Sequence, residues 1–586
     1  MFSFVVVMAI LEVCTILSIS FLAVSVASPE KLQEFGPVKA LFRLIPQLSA
    51  LCEDPRLFAL LVSVAVVSLT TAKNAMSAFV NHRTARLGEN IALFAGETVF
   101  RHYLYTPYIG HLAGDSNVMF QALSWRRQLS QMVIDLMMVY TYAAVTLAMI
   151  ITLLSATPGT IVLVILLVGL SSAALYKTLK SGIDRAGCES AEWSRKETKS
   201  TMNAMNGIRE ILIYRQQGVF FDVFQQACLG GLKDRIFLTI APPIPTWTLE
   251  TVGFLVIPIT LWAMYALQDA SMARITGVLT MIMLISWRVL PLLNRSLSAL
   301  VSVRAGRHAA MDCLAQVKEA LTNPAPVPPL PDPGFVLTKS ITFQDVCFRY
   351  PKAEQLCLHH LTFSIPCGGR VGIIGRSGAG KSSIAAILSG LVKPTSGEVL
   401  IDGGQLTPSG LAAYCQRVGY VPQAPYILSG SLAENVAFSQ WGKPWDEEKV
   451  KKVCRMAELD VAETHGVNFL IGSSGGGLSG GQAQRLSIAR ALYADPSILI
   501  FDEATSALDT GVESAIMKTI FALPQSMTTI IIAHRLSTVE RCDALFWIDD
   551  GRLIASGHPD ELLSRYRAYL DAGKEDMTTH LKQAMQ

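Results

Sequence analysis

Residues 375–382 read Gly375-Arg376-Ser377-Gly378-Ala379-Gly380-Lys381-Ser382. The chemistry of that spacing is phosphate binding. Glycines let successive backbone N–H groups turn toward one phosphate chain, and Lys381 brings a cation to the β and γ oxygens. Ser382, followed by Ser383, offers a hydroxyl to Mg²⁺. The flanks agree, because 370–374 reads as a short apolar strand and 381–391 as a helical run. The phosphates then sit at a helix N-terminus, where the dipole favours anions.

A second set of groups lies more than a hundred residues on. The apolar run 498–501 ends in Asp502, so this carboxylate emerges at a strand's C-terminal edge, the side on which open α/β sheets bind ligands. There it is expected to hold Mg²⁺. Glu503 is adjacent, and a carboxylate at that place can polarise the water that attacks a γ-phosphate. The structural alternative for the pair is a solvated acidic strand end. Gln423, after Val421-Pro422, reads on local grounds alone as a turn residue.

Between these lies Leu478-Ser479-Gly480-Gly481-Gln482. That pentapeptide is identified as the signature sequence of ATP-binding cassette proteins, and about residues 340–570 match the family pattern. The resemblance implies an α/β P-loop ATPase domain that uses ATP and Mg²⁺. It implies that Tyr350, in Phe348-Arg349-Tyr350-Pro351, stacks on adenine, and that Gln423 joins the shell of Mg²⁺ and attacking water. Glu503 becomes the general base, and His534, after the apolar run 529–533, contacts the γ-phosphate. Ser506-Ala507-Leu508-Asp509 resembles the loop that crosses the dimer interface, which places Asp509 beside nucleotide. In the family the signature loop acts in trans, so Ser479, Gly480, Gly481 and Gln482 close on ATP held by a second cassette. This chain has one such cassette, and the partner is a second copy of itself or a related half-transporter.

The elements before the cassette say where the engine sits. Of the 586 residues, 51% are hydrophobic and 16% charged, and the mean hydropathy is positive. Apolar runs at 2–27, 57–80, 130–155, 159–177, 246–268 and 273–293 approach or exceed the ~20 residues that span a bilayer as helix. Six transmembrane helices are therefore expected. His82, Arg83, Arg86, Arg101, Arg126 and Arg127 fill the second connection, and Arg185, Arg195, Lys196, Lys199, Arg209 and Arg215 the fourth, which sets both on the cytoplasmic side. Each reads as helices extended below the membrane, with a candidate coupling helix near 107–120 and 207–217.

Six spans, two long inner connections and a C-terminal cassette resemble the exporter branch of the family in its half-transporter form. The domains expected are a membrane all-α domain at 1–318, a proline-rich linker at 319–336, the nucleotide-binding domain at 337–572 and a tail at 573–586. Asn323-Pro324-Ala325-Pro326-Val327-Pro328-Pro329 reads as stiff extended chain or as a disordered loop. Met1 lies almost inside the first span, which suggests an earlier start. The competing reading, a cleaved signal peptide, conflicts with Glu12 and with the lack of a preceding basic region.

Residues 31–54 carry apolar positions near helical spacing and read as a helix on the outer membrane surface or as an extension of the spans. With Gly207-Ile208-Arg209-Glu210-Ile211 and Pro291-Leu292-Leu293-Asn294-Arg295, this stretch resembles flippases for the lipid-linked oligosaccharides of bacterial protein glycosylation. Such a role implies the bacterial inner membrane. Arg288 and Arg295 share one helix face, which suits a pyrophosphate in the cavity, with Lys73, Arg83 and Arg86 as helpers. The alternative is an intramembrane ion pair of Arg288 with Asp135 or Glu250.

Eleven cysteines in single positions indicate neither a disulfide framework nor a metal site. A net charge of +3 without a basic, aromatic-interleaved tract gives no sign of nucleic acid. Three functions stay open: an outward flippase of a lipid-linked oligosaccharide or similar glycolipid, an exporter of lipids, drugs or peptides, and a cassette that regulates a partner.

Overall fold

The computed structural model describes residues 2–27, 55–114, 116–156, 158–267, 272–327, 329–472, 477–504, 510–533 and 535–571. The expected outer segment 31–54 lies outside them. The chain divides into two compact units, Met1–Leu104 with Asp115–Pro324, and Tyr105–Gly114 with Ala325–Gln586.

In the first unit the six apolar runs fall on six long helices among the described residues: Phe2–Ala27, Pro55–Tyr105, Ser116–Ala156, Pro158–Asn206, Ile244–Leu267 and Met272–Thr322. By length and composition Leu60–Tyr105, Asn117–Ile151 and Gln217–Ile259 are, among the described residues, long and apolar enough to cross a membrane. A helix of 51 residues such as Pro55–Tyr105 is about 76 Å long, more than twice a hydrocarbon core of ~30 Å. Its charged half therefore has to leave the lipid.

Small residues set the helix spacing. A methyl on Gly88 would come within 2.5 Å of Ile134, and one on Gly96 within 3.0 Å of the Arg126 guanidinium. Some charges within this unit are paired: Glu12 with Lys73 at 3.2 Å, and Arg304 with Asp184 at 2.8 Å, the Arg304 Nε also donating to the Tyr176 hydroxyl at 2.5 Å. Arg195 pairs with Asp312 and lies over the Trp125 ring.

Both candidate coupling helices are shorter than expected. The first spans Tyr108–Ala113, because Pro107 starts it and Gly114 ends it, and Phe120 belongs to the next long helix. The second spans Ile208–Ile213 and stops before Arg215, whose φ of 52° is left-handed. Tyr105–Gly114, inside the stretch read as membrane domain, groups with the second unit. The last long helix continues to Thr322, inside the stretch read as linker.

The second unit carries the strands β1 (Ser340–Phe348), β2 (Leu358–Pro366), β3 (Arg370–Ile374), β4 (Ser396–Ile401), β5 (Gly404–Gln405), β6 (Val418–Val421), β7 (Gly430–Ser431), β8 (Leu470–Ile471), β9 (Ile498–Asp502), β10 (Thr528–Ile532), β11 (Ala544–Asp549) and β12 (Arg552–Gly557). The central sheet has the order β12-β11-β3-β10-β9-β6, with every pair parallel except β11–β12. A second sheet, β2-β1-β4-β5, is antiparallel, and β7 pairs with β8.

The central sheet is buried on both faces, as parallel sheets require. Ile498 and Ile500 join one apolar cluster with Val371, Ile373, Ile530 and Ile532. Leu499 and Phe501, pointing the other way, join a second cluster with Val421, Leu486, Ile488 and Ile531. That explains why these strands read as continuous apolar runs rather than alternating ones.

A short helix, Leu432–Val436, is started by a capping box of Ser431 and Glu434, and its Asn435 is fully buried. The Asn435 amide donates to the Leu428 and Ser431 carbonyls, and its oxygen accepts from the Leu428 N–H and from Arg490. Asn435→Ala is expected to leave those backbone groups unpaired, destabilise the cassette by roughly 3 kcal/mol, and lower its melting temperature by several degrees in a thermal scan of the intact protein.

Candidate nucleotide site

The site forms at the C-terminal edge of the central sheet. β3 leads into the 375–382 loop, and the helix Lys381–Leu388 follows, with Gly380 at its N-cap at a φ of 97°. Gly375 lies so close to β11 that a methyl there would meet the Ile548 carbonyl oxygen at 2.1 Å. Lys381 Nζ donates to the carbonyls of Gly375 at 3.0 Å and Arg376 at 2.9 Å, bracing the loop from inside. Burial pushes the Lys381 ammonium below the ordinary lysine range, while Glu503, Asp502 and Asp549 pull it back up. Ser377, Gly378 and Ser382 are exposed at the loop's surface, whereas Ala379 and Ser383 are buried.

β9 delivers the carboxylates. Asp502 is buried, and the Tyr420 hydroxyl donates to its Oδ2 at 3.0 Å. Its Oδ1 is buried with no hydrogen-bond partner among the described residues. Burial pushes the Asp502 carboxyl above its ordinary range, and the Tyr420 hydrogen bond opposes that shift. Glu503 takes a left-handed φ of 53°, uncommon for a residue with a side chain, and its N–H is tied to the Ile532 carbonyl of β10 at 3.0 Å. Gln423 Nε2 donates to Glu503 Oε2 at 2.7 Å. The turn residue of β6 and the carboxylate after β9 thus meet.

Tyr350 packs edge-on against Phe348, and its hydroxyl is 3.0 Å from Ser383 Oγ, so the aromatic ring and the loop helix are joined. Ser479 caps the helix Gly480–Tyr493 in a reciprocal box: its hydroxyl accepts from the Gln482 N–H at 3.2 Å, and Gln482 Oε1 accepts from the Ser479 N–H at 2.9 Å. Ser479 and Gly480 are exposed, which leaves a capped helix N-terminus facing outward, and Gly481 is half-buried. Asp509 and His534, with residues 506–508, lie outside the described residues.

Several contacts had no signal in the sequence. Tyr420 is opposite Ile500 in the β6–β9 register, so its ring shares a face with Asp502 two residues along. Gln484, buried in the signature helix, donates to the Pro422 carbonyl at 3.0 Å and Arg490 to the Tyr426 carbonyl at 2.7 Å, which fixes the loop carrying Gln423. The Tyr569 hydroxyl donates to Asp549 at 2.6 Å, and the Arg376 guanidinium lies over the Tyr569 ring. The Gln484 spacing, two residues past Gln482, is legible once the helix is known; the others need the folded sheet.

The substrate candidates are not brought together in the same way. The Arg288 side chain lies outside the described residues. Arg295 is exposed, 5.9 Å from the Tyr142 ring centroid. Lys73, read as a helper, is paired with Glu12, Arg83 lies over Phe79, and Asp135 accepts from Gln131 Nε2 at 2.9 Å.

The residues present suit Mg²⁺ and a nucleotide triphosphate. An orphaned carboxylate oxygen, a serine hydroxyl and an amide form an oxygen-rich set, as a hard cation requires. Among the described residues no cluster of three or more His, Cys, Asp and Glu could hold a metal alone. Phosphate oxygens and water must therefore complete the shell.

A phosphate loop, a carboxylate-ended strand and a capped signature helix on one parallel sheet define an ATP-binding cassette. Residues 358–506 match the ABC transporter family model. Across the whole chain the fold is that of an ABC exporter: a bacterial Atm1-family ABC exporter with ATP bound superposes with a TM-score of 0.71 at 24% identity, over 97% of this chain and 98% of that one. The ATP-dependent lipid A-core flippase of Sodalis glossinidius is 33% identical over 383 residues, 64% of this chain and 63% of the relative. Those of Pectobacterium atrosepticum and Salmonella typhimurium are each 32% identical, over 63% and 64% of their lengths. The match thus spans less than two thirds of these relatives. The chain thus carries an ABC transporter domain at its C-terminal side, has the fold of an ABC exporter over its length, and with its apolar helices is a multi-pass membrane protein.

Gly375→Ala forces the loop off β11, whereas a methyl on Gly378, at a φ of 83°, meets nothing within 4 Å. Binding of a fluorescent ATP analogue is expected to weaken about tenfold or more in Gly375→Ala and only about threefold in Gly378→Ala.

Proposed function

We propose that the protein is an ATP-driven flippase that moves an amphipathic glycolipid outward across the bacterial inner membrane by alternating access. The observation that carries this is the convergence of Lys381, Asp502, Glu503 and Gln423 on one sheet edge in a chain with an exporter fold.

The residues have distinct tasks. Lys381 and the N–H groups of 376–382 bind the β- and γ-phosphates, which displaces the Lys381 ammonium from the loop carbonyls. Tyr350 stacks on adenine. Asp502, Ser382 and Gln423 would hold Mg²⁺, which would supply neutralisation of charge developing on the phosphates. Glu503 orients water and draws its proton toward the carboxylate, which the Gln423 amide holds at 2.7 Å. Gln423 spans the Glu503 carboxylate and the loop fixed by Gln484, so it reports motion of that loop to the base. His534 meets the γ-phosphate and Asp509 crosses to the partner. Ser479, Gly480, Gly481 and Gln482 of a second copy complete the site, and a homodimer is the simplest assembly. The helices Tyr108–Ala113 and Ile208–Ile213 couple cassette closure to the spans.

The relatives' names favour a lipid A-core type of cargo. The lipid-linked oligosaccharide reading rests on the resemblance carried by residues 31–54, 207–211 and 291–295, with Arg288 and Arg295 as candidates for a pyrophosphate, and takes second place. In lipid nanodiscs the wild-type protein is expected to hydrolyse ATP, with Glu503→Gln slower by about 10²–10⁴-fold. A lipid A-core glycolipid is expected to change the wild-type rate. Response to a polyprenyl-diphosphate oligosaccharide instead would favour the second cargo, and a rate indifferent to both would overturn the glycolipid assignment.

A further inference from the structure

The metal end of the site contains an asymmetry that the phosphate loop and Glu503 do not explain. Asp502 is 7% exposed, yet its two oxygens are treated differently. Oδ2 accepts from the Tyr420 hydroxyl at 3.0 Å, and Oδ1 has no hydrogen-bond partner among the described residues. A buried carboxylate oxygen without a partner is costly, and structures keep one mainly where an ion or water completes it.

The β6–β9 register creates this division. Tyr420 sits opposite Ile500, and Asp502 is the next residue on the same face, so the phenol reaches the carboxylate diagonally across two parallel strands. The strand is short and leads directly into Pro422 and Gln423, whose amide meets Glu503. A tyrosine that only filled space would need no hydroxyl here, and a phenylalanine ring would occupy the same volume. The hydroxyl is spent on the carboxylate.

Building on the proposed Mg²⁺–ATP site, we propose that Tyr420 is a positioning residue for its metal end. By engaging Oδ2, its hydroxyl fixes the rotation of the Asp502 carboxylate and keeps Oδ1 available to a divalent cation. Partners of this kind, one shell out from a metal, hold the ligand's orientation, and losing one commonly costs about 10–100-fold in metal affinity.

The test compares wild type, Tyr420→Phe, Asp502→Asn and the double variant as full-length protein in nanodiscs, reading the Kd of a non-hydrolysable ATP analogue with Mg²⁺ and in EDTA. Wild type is expected to bind more tightly with Mg²⁺. Tyr420→Phe is expected to lose about tenfold of that Mg²⁺-dependent gain, with its affinity in EDTA and its melting temperature unchanged. In the Asp502→Asn background Tyr420→Phe is expected to add nothing. A full Mg²⁺-dependent gain in Tyr420→Phe overturns the positioning role while leaving the site intact, as does an equal loss with Mg²⁺ and in EDTA, which marks a merely structural side chain. Absence of any Mg²⁺-dependent gain in wild type overturns the underlying metal assignment as well.

Discussion

Burial of one parallel sheet on both faces is the constraint on which the site depends. β11, β3, β10, β9 and β6 cannot slide relative to one another, because their buried apolar side chains are divided between two apolar clusters and a one-residue slip would exchange them. The parallel direction then brings every strand's C-terminal end to the same edge. From that edge emerge the phosphate loop after β3, the Asp502–Glu503 pair at β9 and the Pro422-Gln423 turn after β6. Polar groups in this position are expensive, and most are held: Lys381 by loop carbonyls, Asp502 Oδ2 by Tyr420 and Glu503 by Gln423, with Asp502 Oδ1 the exception among the described residues. The left-handed Glu503 backbone is tolerated because β10 holds its N–H.

Much of this was legible in the sequence, and the reason is chemical. Phosphate binding requires close backbone approach, so Gly375, Gly378, Gly380 and Lys381 could stand in few other arrangements. The signature Ser479 and Gln482 were legible for a second reason: they form a local capping box, which depends only on residues three apart. The six long helices were legible because lipid selects apolar runs of bilayer length. The short helices Tyr108–Ala113 and Ile208–Ile213 were overextended, since their ends are set by single backbone events at Gly114 and Arg215 rather than by periodicity.

What stayed hidden was long-range. Tyr420 and Asp502 are 82 residues apart and meet only through strand register, and Arg490 and Asn435, 55 apart, meet only once the signature helix is docked. The charged residues of the membrane unit show the same limit. Helical spacing put Arg288 and Arg295 on one face, but spacing along one helix is silent about neighbouring helices. It did not show that Lys73 faces Glu12 or that Arg304 reaches Asp184 and Tyr176.

Those pairings bear on how the membrane unit can handle a charged headgroup. In lipid a lone ammonium or carboxylate is costly, so Glu12 and Lys73 stabilise one another against the alternative of either alone. An anionic headgroup near Lys73 therefore has to compete with a carboxylate already in place, whereas Arg295, held only against the Tyr142 ring among its described contacts, presents a guanidinium with its hydrogen-bonding edge less committed. Of the cations named from the sequence, Arg295 is on these grounds the better first point of attack for phosphate chemistry. Lys73 is better understood as part of the scaffold that joins the first two long helices.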